Sequence, residues 1–274
     1  MKKYTKLAAF VAIAMAASTA YADDAILNAN NQVSLSGGAS NLNYKEISRA
    51  EVPTTMNSET GTQAAIGIST SRQGSIFGIK DVYTSVSSSF AFGNTAYDGH
   101  LLDATFTPQK ATSKNFTTDV QLRLGKAFRF GVRSQFQVVP FVQYGYHYWN
   151  RDAASLETEE YSHNAFGGGV LIQGAPTDKL VLSLDVAVSG MVGAQMKEVG
   201  FPAAQLESRP ITQVGVGVDY AVTKHLHVNV NYKYSNYRYG ISNSVTDATG
   251  RWSIYEPDSR TTQQLVMFGV GYSF

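Results

Sequence analysis

The chain has 274 residues, among them 22 Lys or Arg, 21 Asp or Glu and no cysteine. Lack of cysteine excludes a disulfide framework, a thiolate metal site and a cysteine nucleophile. Without the three lysines of residues 1–22, 19 basic residues face 21 acids, so no basic surface points to nucleic acid.

Lys2, Lys3 and Lys6 precede an apolar run from Leu7 to Ala17, and Ala20-Tyr21-Ala22 supplies a small-x-small cleavage pattern. This is the layout of a secretory signal peptide over residues 1–22, with Asp23 opening the mature chain. The run is shorter than the roughly 20 apolar residues of a spanning helix, and no later stretch is long enough to be one. Residues 23–274 are read as a single domain.

From residue 32 onward the pattern has period two. Ten strands are expected, at about 32–44, 62–71, 82–95, 115–126, 137–150, 160–172, 179–191, 210–221, 226–239 and 263–274. The clearest are Val214–Tyr220 and Val266–Phe274, where Val, Phe and Tyr alternate with Gly, Ser and Asp. In Leu226–Ser235, Leu, Val and Tyr alternate with His227, Asn229, Asn231 and Lys233. Strands apolar on one side only, with no spanning helix, imply an all-β fold, a closed antiparallel transmembrane β-barrel of ten strands, because only a closed barrel satisfies strand backbone groups in lipid. Eight and twelve strands stay open as alternatives. Alternation also reconciles a mean hydropathy of −0.15 with membrane insertion, since only every second residue meets lipid.

An even count puts both termini on one side, read as periplasmic. Long connections at 45–61, 96–114, 192–209 and 240–262 then become outer loops, and 173–178 and 222–225 compact turns. Arg72–Asp81 and Ala127–Phe136 look long for turns, so strands either run further than drawn or the count is off by a hairpin. Tyr220, Tyr272 and Phe274 fall at the periplasmic interface. Phe90, Phe92, Phe116, Tyr146, Tyr148, Trp149, Tyr232 and Tyr234 fall toward the outer one. Loop 96–114 carries Leu101, Leu102 and Phe106, and loop 192–209 carries Met196, Val199, Phe201 and Pro202. They are read either as a binding surface or as a lid over the barrel mouth.

Gly-rich alternating strands, Pro140-Phe-Val-Gln-Tyr-Gly-Tyr-His-Tyr148 and the closing Gly269-Val-Gly-Tyr-Ser-Phe274 give the mature chain a form that resembles the opacity-protein and OmpA-like small outer-membrane β-barrels of Gram-negative cells. The resemblance implies that Tyr272 and Phe274 carry the signal read by the barrel-assembly machinery. It also implies residence in outer-membrane lipid. Unlike full-length OmpA, the chain is expected to have no periplasmic peptidoglycan-binding domain after its last strand.

Asp119, Arg123, His147, Asp185, Asp219, His227 and Lys233 point inward by parity. They are the lumen candidates, because charges inside a membrane protein are functional candidates by default. Asp219 and His227 are read as a polar contact filling the lumen near the periplasmic end, and inward glycines as room for water or for large side chains. An omptin-type protease would need an acidic pair and an Asp-His pair at the outer rim, and no Asp-x-Asp or Asp-x-His stands in a corresponding position. Ser162 and His163 point to opposite faces, so His163 cannot activate its neighbour. No enzyme, metal or cofactor is therefore expected. The expected function is a structural or surface-interaction role through extracellular loops, with an extracellular ligand as partner. A narrow porin-like diffusion channel is the alternative and an outer-membrane hydrolase the third reading.

Overall fold

The computed structural model describes residues 23–47, 55–100, 107–131, 134–153 and 157–274. The expected signal peptide lies outside them, as do Leu101, Leu102 and Phe106. Ten long antiparallel strands form the wall: β1 (Gln32–Ile47), β2 (Thr55–Ile76), β3 (Ile79–His100), β4 (Pro108–Lys126), β5 (Phe136–Ala153), β6 (Glu157–Gly174), β7 (Leu180–Glu198), β8 (Pro210–Ala221), β9 (Leu226–Tyr239) and β10 (Asp258–Ser273). Each pairs with its neighbour in sequence, and β10 closes on β1 from Gln32↔Ser273 to Ile47↔Asp258. The cylinder has no free edge, as lipid requires.

Side chains sort by parity as the alternation demands. Val266, Phe268, Val270, Tyr272 and Phe274 are exposed on the outer surface, while Met267 is buried inside. Leu35, Ile68, Leu124, Val142, Phe166 and Val188, from six other strands, continue the apolar belt. β2 and β3 each run 22 residues, about twice the 9–11 that cross a bilayer. The wall therefore stands well above the belt at one end, and two of the expected long loops, 45–61 and 96–114, are largely strand. Arg72–Asp81 likewise holds only a two-residue turn, Phe77-Gly78, with φ of 50° and 81°, the left-handed pair that matches hairpin twist. Ala127–Phe136 gains its length from a short strand, Phe128–Phe130, paired with Phe136–Val138.

Two expectations are corrected by facing. Trp149 does not sit at the membrane interface but is 1% exposed inside the barrel, because on β5 odd residues face the lumen. Met196 is no loop residue. It lies in β7 and is buried, since Gly193, at φ 63°, sits where the β6–β7 register slips and shifts the inward phase from Met191 to Ala194 and Met196.

A helix that periodicity did not reveal, α1 (Asp23–Asn30), plugs the end of the cylinder where the short turns lie. Eight residues are too few for a stable isolated helix. Packing holds it: Ala25, Ile26 and Ala29 bury against Ala175 and Val181. Beside it Asn30 Nδ2 donates to Gln73 Oε1 and Gln173 Oε1, both at 2.8 Å, and Gln137 Nε2 donates to Gln173 Oε1 at 2.6 Å. These buried amides from α1, β2, β5 and β6 satisfy one another across the lumen, so the plug leaves few polar groups without partners. At the seam, Gly38 on β1 is the residue that admits close approach, since a Cβ there would lie 1.9 Å from the Val266 carbonyl oxygen.

Candidate functional site

The lumen is filled in layers. Next to the plug, Asp219 Oδ1 and His227 Nδ1 are 2.6 Å apart, and Gln32 Nε2 donates to Asp219 Oδ2 at 3.0 Å. Above them lies a chamber of about 280 Å³, lined by serines of β1, β2, β3 and β7 with Arg123, Asp185 and Lys233. Arg123 Nη2 crosses it to Asp185 Oδ1 at 2.8 Å and stacks over Phe141, 4.4 Å from the ring centroid. The inward glycines serve neighbouring side chains here. A Cβ on Gly215 would meet Asp185 Oδ2 at 2.1 Å.

A second polar layer closes the chamber from above. Asp119 Oδ1 lies 2.8 Å from His147 Nδ1, and His147 Nε2 bonds the Tyr237 hydroxyl at 3.1 Å. His163 stacks on His147 with centroids 5.0 Å apart and bonds the Tyr239 hydroxyl at 2.8 Å. Tyr237–His147–Asp119 has the order of a proton relay, but the adjoining cavity of about 40 Å³ has room for little more than water. All seven lumen candidates thus face inward, in three groups: Asp219 with His227, Arg123 with Asp185, and Asp119 with His147. Lys233 borders the cavities beside Asp119 and Asp185.

Above the membrane level lies a site that sequence reading missed. Tyr44, Trp149, Tyr161 and Tyr239 pack as an aromatic layer, with Trp149 and Tyr161 stacked at 5.1 Å and Tyr161 and Tyr239 at 5.6 Å. Over it Arg151 is 2% exposed and meets three buried carboxylates: Glu159 at 2.7 Å, Glu46 at 3.3 Å and Glu59 at 3.6 Å. Thr95 Oγ1 donates to Glu59 at 2.8 Å and Asn57 Nδ2 to Glu46 at 2.7 Å. These polar atoms come from β1, β2, β3, β5 and β6, tying half the wall together across the mouth.

A fourth acid, Glu256, arrives from the β9–β10 connection. Its Oε1 lies 2.8 Å from both the Tyr44 and the Tyr161 hydroxyl. Tyr161 also donates to Glu159 Oε2 at 2.6 Å. Each tyrosine has one proton to give, so a neutral Glu256 completes the set by donating its own. Burial, reinforced by Glu46 and Glu159, pushes the Glu256 carboxyl well above the usual carboxylate range. The segment around it is a lid. Ser242 N donates to Glu256 O at 2.9 Å, Leu206 bridges to Ser242, and Ile254 packs on the aromatic layer. A lid is one of the two readings for 96–114 and 192–209; it is the 240–257 connection that covers the mouth, with Leu206 of the second segment bridged to it. Between lid and wall a cleft of about 210 Å³ opens, bordered by Met56, Met196, Ile254, Arg151, Glu198 and His100.

Sequence reading could have flagged Glu46, Glu59, Glu159 and Arg151 by extending inward parity beyond the drawn strand ends. Nothing local marks Glu256.

Comparison with solved structures places this architecture. The outer-membrane protease OmpT of Escherichia coli superposes with a TM-score of 0.57 at 10% identity, covering 89% of this chain and 97% of that one. The outer membrane protein OprG of Pseudomonas aeruginosa gives 0.37 at 15% identity, over 89% and 96% of the two chains. Ail, the attachment invasion locus protein of Yersinia pestis, gives 0.30 at 11% identity, over 89% and 99%. No protein-family model and no curated sequence matches the chain. The likeness is one of fold: a closed ten-stranded barrel of the small outer-membrane type.

Proposed function

We propose that the chain is a non-conducting, non-enzymatic outer-membrane barrel with a structural or surface-interaction role, its strand-walled mouth and lid facing outward and both termini in the periplasm. In this reading residues 1–22 direct secretion, Tyr272 and Phe274 present the assembly signal, and the cleft under the lid is where an external ligand seats. The carrying observation is closure of the lumen at both ends, by α1 with its amide cluster and by the Arg151 carboxylate layer. Small barrels filled by side chains leave no continuous aqueous path.

The serine-lined chamber favours a narrow channel as the second reading, which would conduct only if α1 below it and the Asp119–His147 and Arg151 layers above it all moved aside. Planar-bilayer recording of the refolded chain decides between them. A silent membrane is expected. Reproducible single-channel steps, abolished by Gly217→Trp, would overturn the plugged reading.

A further inference from the structure

The aromatic layer under the lid is continuous with the histidine layer beneath it. Tyr44 meets Trp149 edge-on with centroids 5.0 Å apart, Trp149 stacks on Tyr161, Tyr161 stacks on Tyr239, and Tyr239 meets Tyr237 at 5.7 Å. Tyr237 in turn lies 5.2 Å from the His147 ring. All these rings are buried. Such spacings are those of aromatic rings in contact, so no gap interrupts the path. At its upper end Met196, which borders the cleft under the lid, lies directly opposite Tyr161.

Packing alone does not account for the four phenols, since phenylalanine would fill the space without a buried hydroxyl to satisfy. Each hydroxyl is aimed at an ionisable base. Tyr44 bonds Glu46 at 3.1 Å and Tyr161 bonds Glu159 at 2.6 Å. Tyr239 bonds His163 Nδ1 at 2.8 Å and Tyr237 bonds His147 Nε2 at 3.1 Å. On the outer wall, by contrast, Tyr144 and Tyr232 bond the neutral amides of Asn164 and Gln264. A phenol that loses an electron becomes a strong acid, and a hydrogen-bonded base lets its proton leave at the same moment.

The four bases are not equivalent. Glu159 pairs with Arg151 at 2.7 Å, and a proton on it would cancel that ion pair. His163 has no carboxylate bonded to its other nitrogen among the described residues. His147 does. Asp119 Oδ1 at 2.8 Å holds the proton on Nδ1, which leaves Nε2 as the acceptor, and it stabilises the imidazolium formed when a second proton arrives. Tyr237 is therefore the ring that most readily gives up an electron and a proton together.

We propose that Tyr161, Tyr239 and Tyr237, with Trp149 stacked beside them, carry an oxidising equivalent inward from a one-electron oxidant in the cleft and hold it as a neutral radical on Tyr237. A peroxyl radical is an oxidant of this class. It gains one electron through the rings and a proton from water to become a hydroperoxide, while the Tyr237 phenol loses that electron and passes its hydroxyl proton to His147 Nε2. An enediol reductant in the cleft resets the site, giving one electron through the same rings and its own proton to water as the His147 proton returns to the phenol. The radical is kept inside the wall, away from lipid. This capacity of one equivalent per chain goes beyond the structural role proposed above and holds whichever way the mouth faces.

The test oxidises the full mature chain in nanodiscs by flash-quench with a water-soluble ruthenium tris(bipyridyl) complex. Transient absorption and freeze-quench electron paramagnetic resonance follow the radical. The wild type is expected to give a long-lived neutral tyrosyl signal. Tyr237→Phe should abolish it, and Tyr161→Phe should delay its appearance. Asp119→Asn should shorten its lifetime, because the imidazolium loses its counter-charge, while Tyr220→Phe, on the outer surface, leaves it unchanged. Phenylalanine keeps the ring contacts, and heat-modifiable gel mobility verifies folding. An undiminished signal in Tyr237→Phe overturns the resting place, an undelayed one in Tyr161→Phe the route, and an unaltered lifetime in Asp119→Asn the proton acceptor. Electron–nuclear double resonance on the wild type needs no variant: a coupling from the shared imidazole proton is expected on the radical, and its absence overturns proton transfer to His147.

Discussion

Raising the pH should loosen the lid over the barrel mouth, and Glu256→Gln should abolish that response. Glu256 is 4% exposed and anchors the β9–β10 connection between Tyr44 and Tyr161. The ionisable groups facing it are those two tyrosines, Glu46 from β1, Glu159 from β6 and Arg151 from β5. Burial, Glu46 and Glu159 raise its pKa, and Arg151 opposes them without prevailing. The closed lid therefore keeps a proton that the opened, hydrated carboxyl sheds above about pH 4.3. Closure is at full strength below that value. Between it and the raised pKa of the buried group, the closed form loses about 1.4 kcal/mol per pH unit, a tenfold fall in the closed-to-open ratio, and the loss levels off above the raised pKa. Glu256→Gln keeps a neutral donor and acceptor for the tyrosines and has no proton to shed. Hydrogen exchange of the Ser242 and Glu256 amides, which bond within the lid at 2.9 Å and 2.7 Å, measures opening once intrinsic base catalysis is divided out. The wild type should open more from pH 5 to 8, and the variant should show a flat profile. Parallel profiles in the two proteins would refute a proton held on Glu256.

Arg151→Met should destabilise the barrel by about 3–5 kcal/mol, because it leaves Glu46, Glu59 and Glu159 buried without their cation. Urea unfolding followed by tryptophan fluorescence measures the loss, and a change below about 1 kcal/mol would remove the guanidinium from its organising role. Val270→Arg, on the lipid face at 56% exposure, should cost about 2–4 kcal/mol near the bilayer midplane. Ser87→Arg, which projects into the serine-lined chamber, should cost far less, and equal costs would contradict the assignment of faces.

Much of the wall was legible because a strand repeats every two residues and lipid punishes a wrong parity along its whole length. Val266–Phe274 and Leu226–Ser235 show their facing in the bare sequence, and all ten strands stand where the alternation puts them. Strand ends were drawn short for the same reason. Above the belt both faces turn polar, so Asn41, Asn43 and Lys45 alternate with Leu42, Tyr44 and Glu46 without the lipid signature. The carboxylate layer was lost with those ends. Trp149 was misplaced when an aromatic at the right height was taken for an interface residue, although its odd number already directed it inward.

What the sequence determines by itself is thus the kind of surface each strand shows to its surroundings, a local property fixed by period and composition. Tertiary structure decided what fills the barrel. Asn30 meets Gln173 across 143 positions and Arg151 meets Glu46 across 105, and no local pattern couples such partners. The eight residues of α1 have too little propensity to announce a helix. Glu256 gains its altered chemistry only when the lid seats it among other acids. Closing the cylinder brings these distant residues together, and their burial out of water turns them into plug and latch.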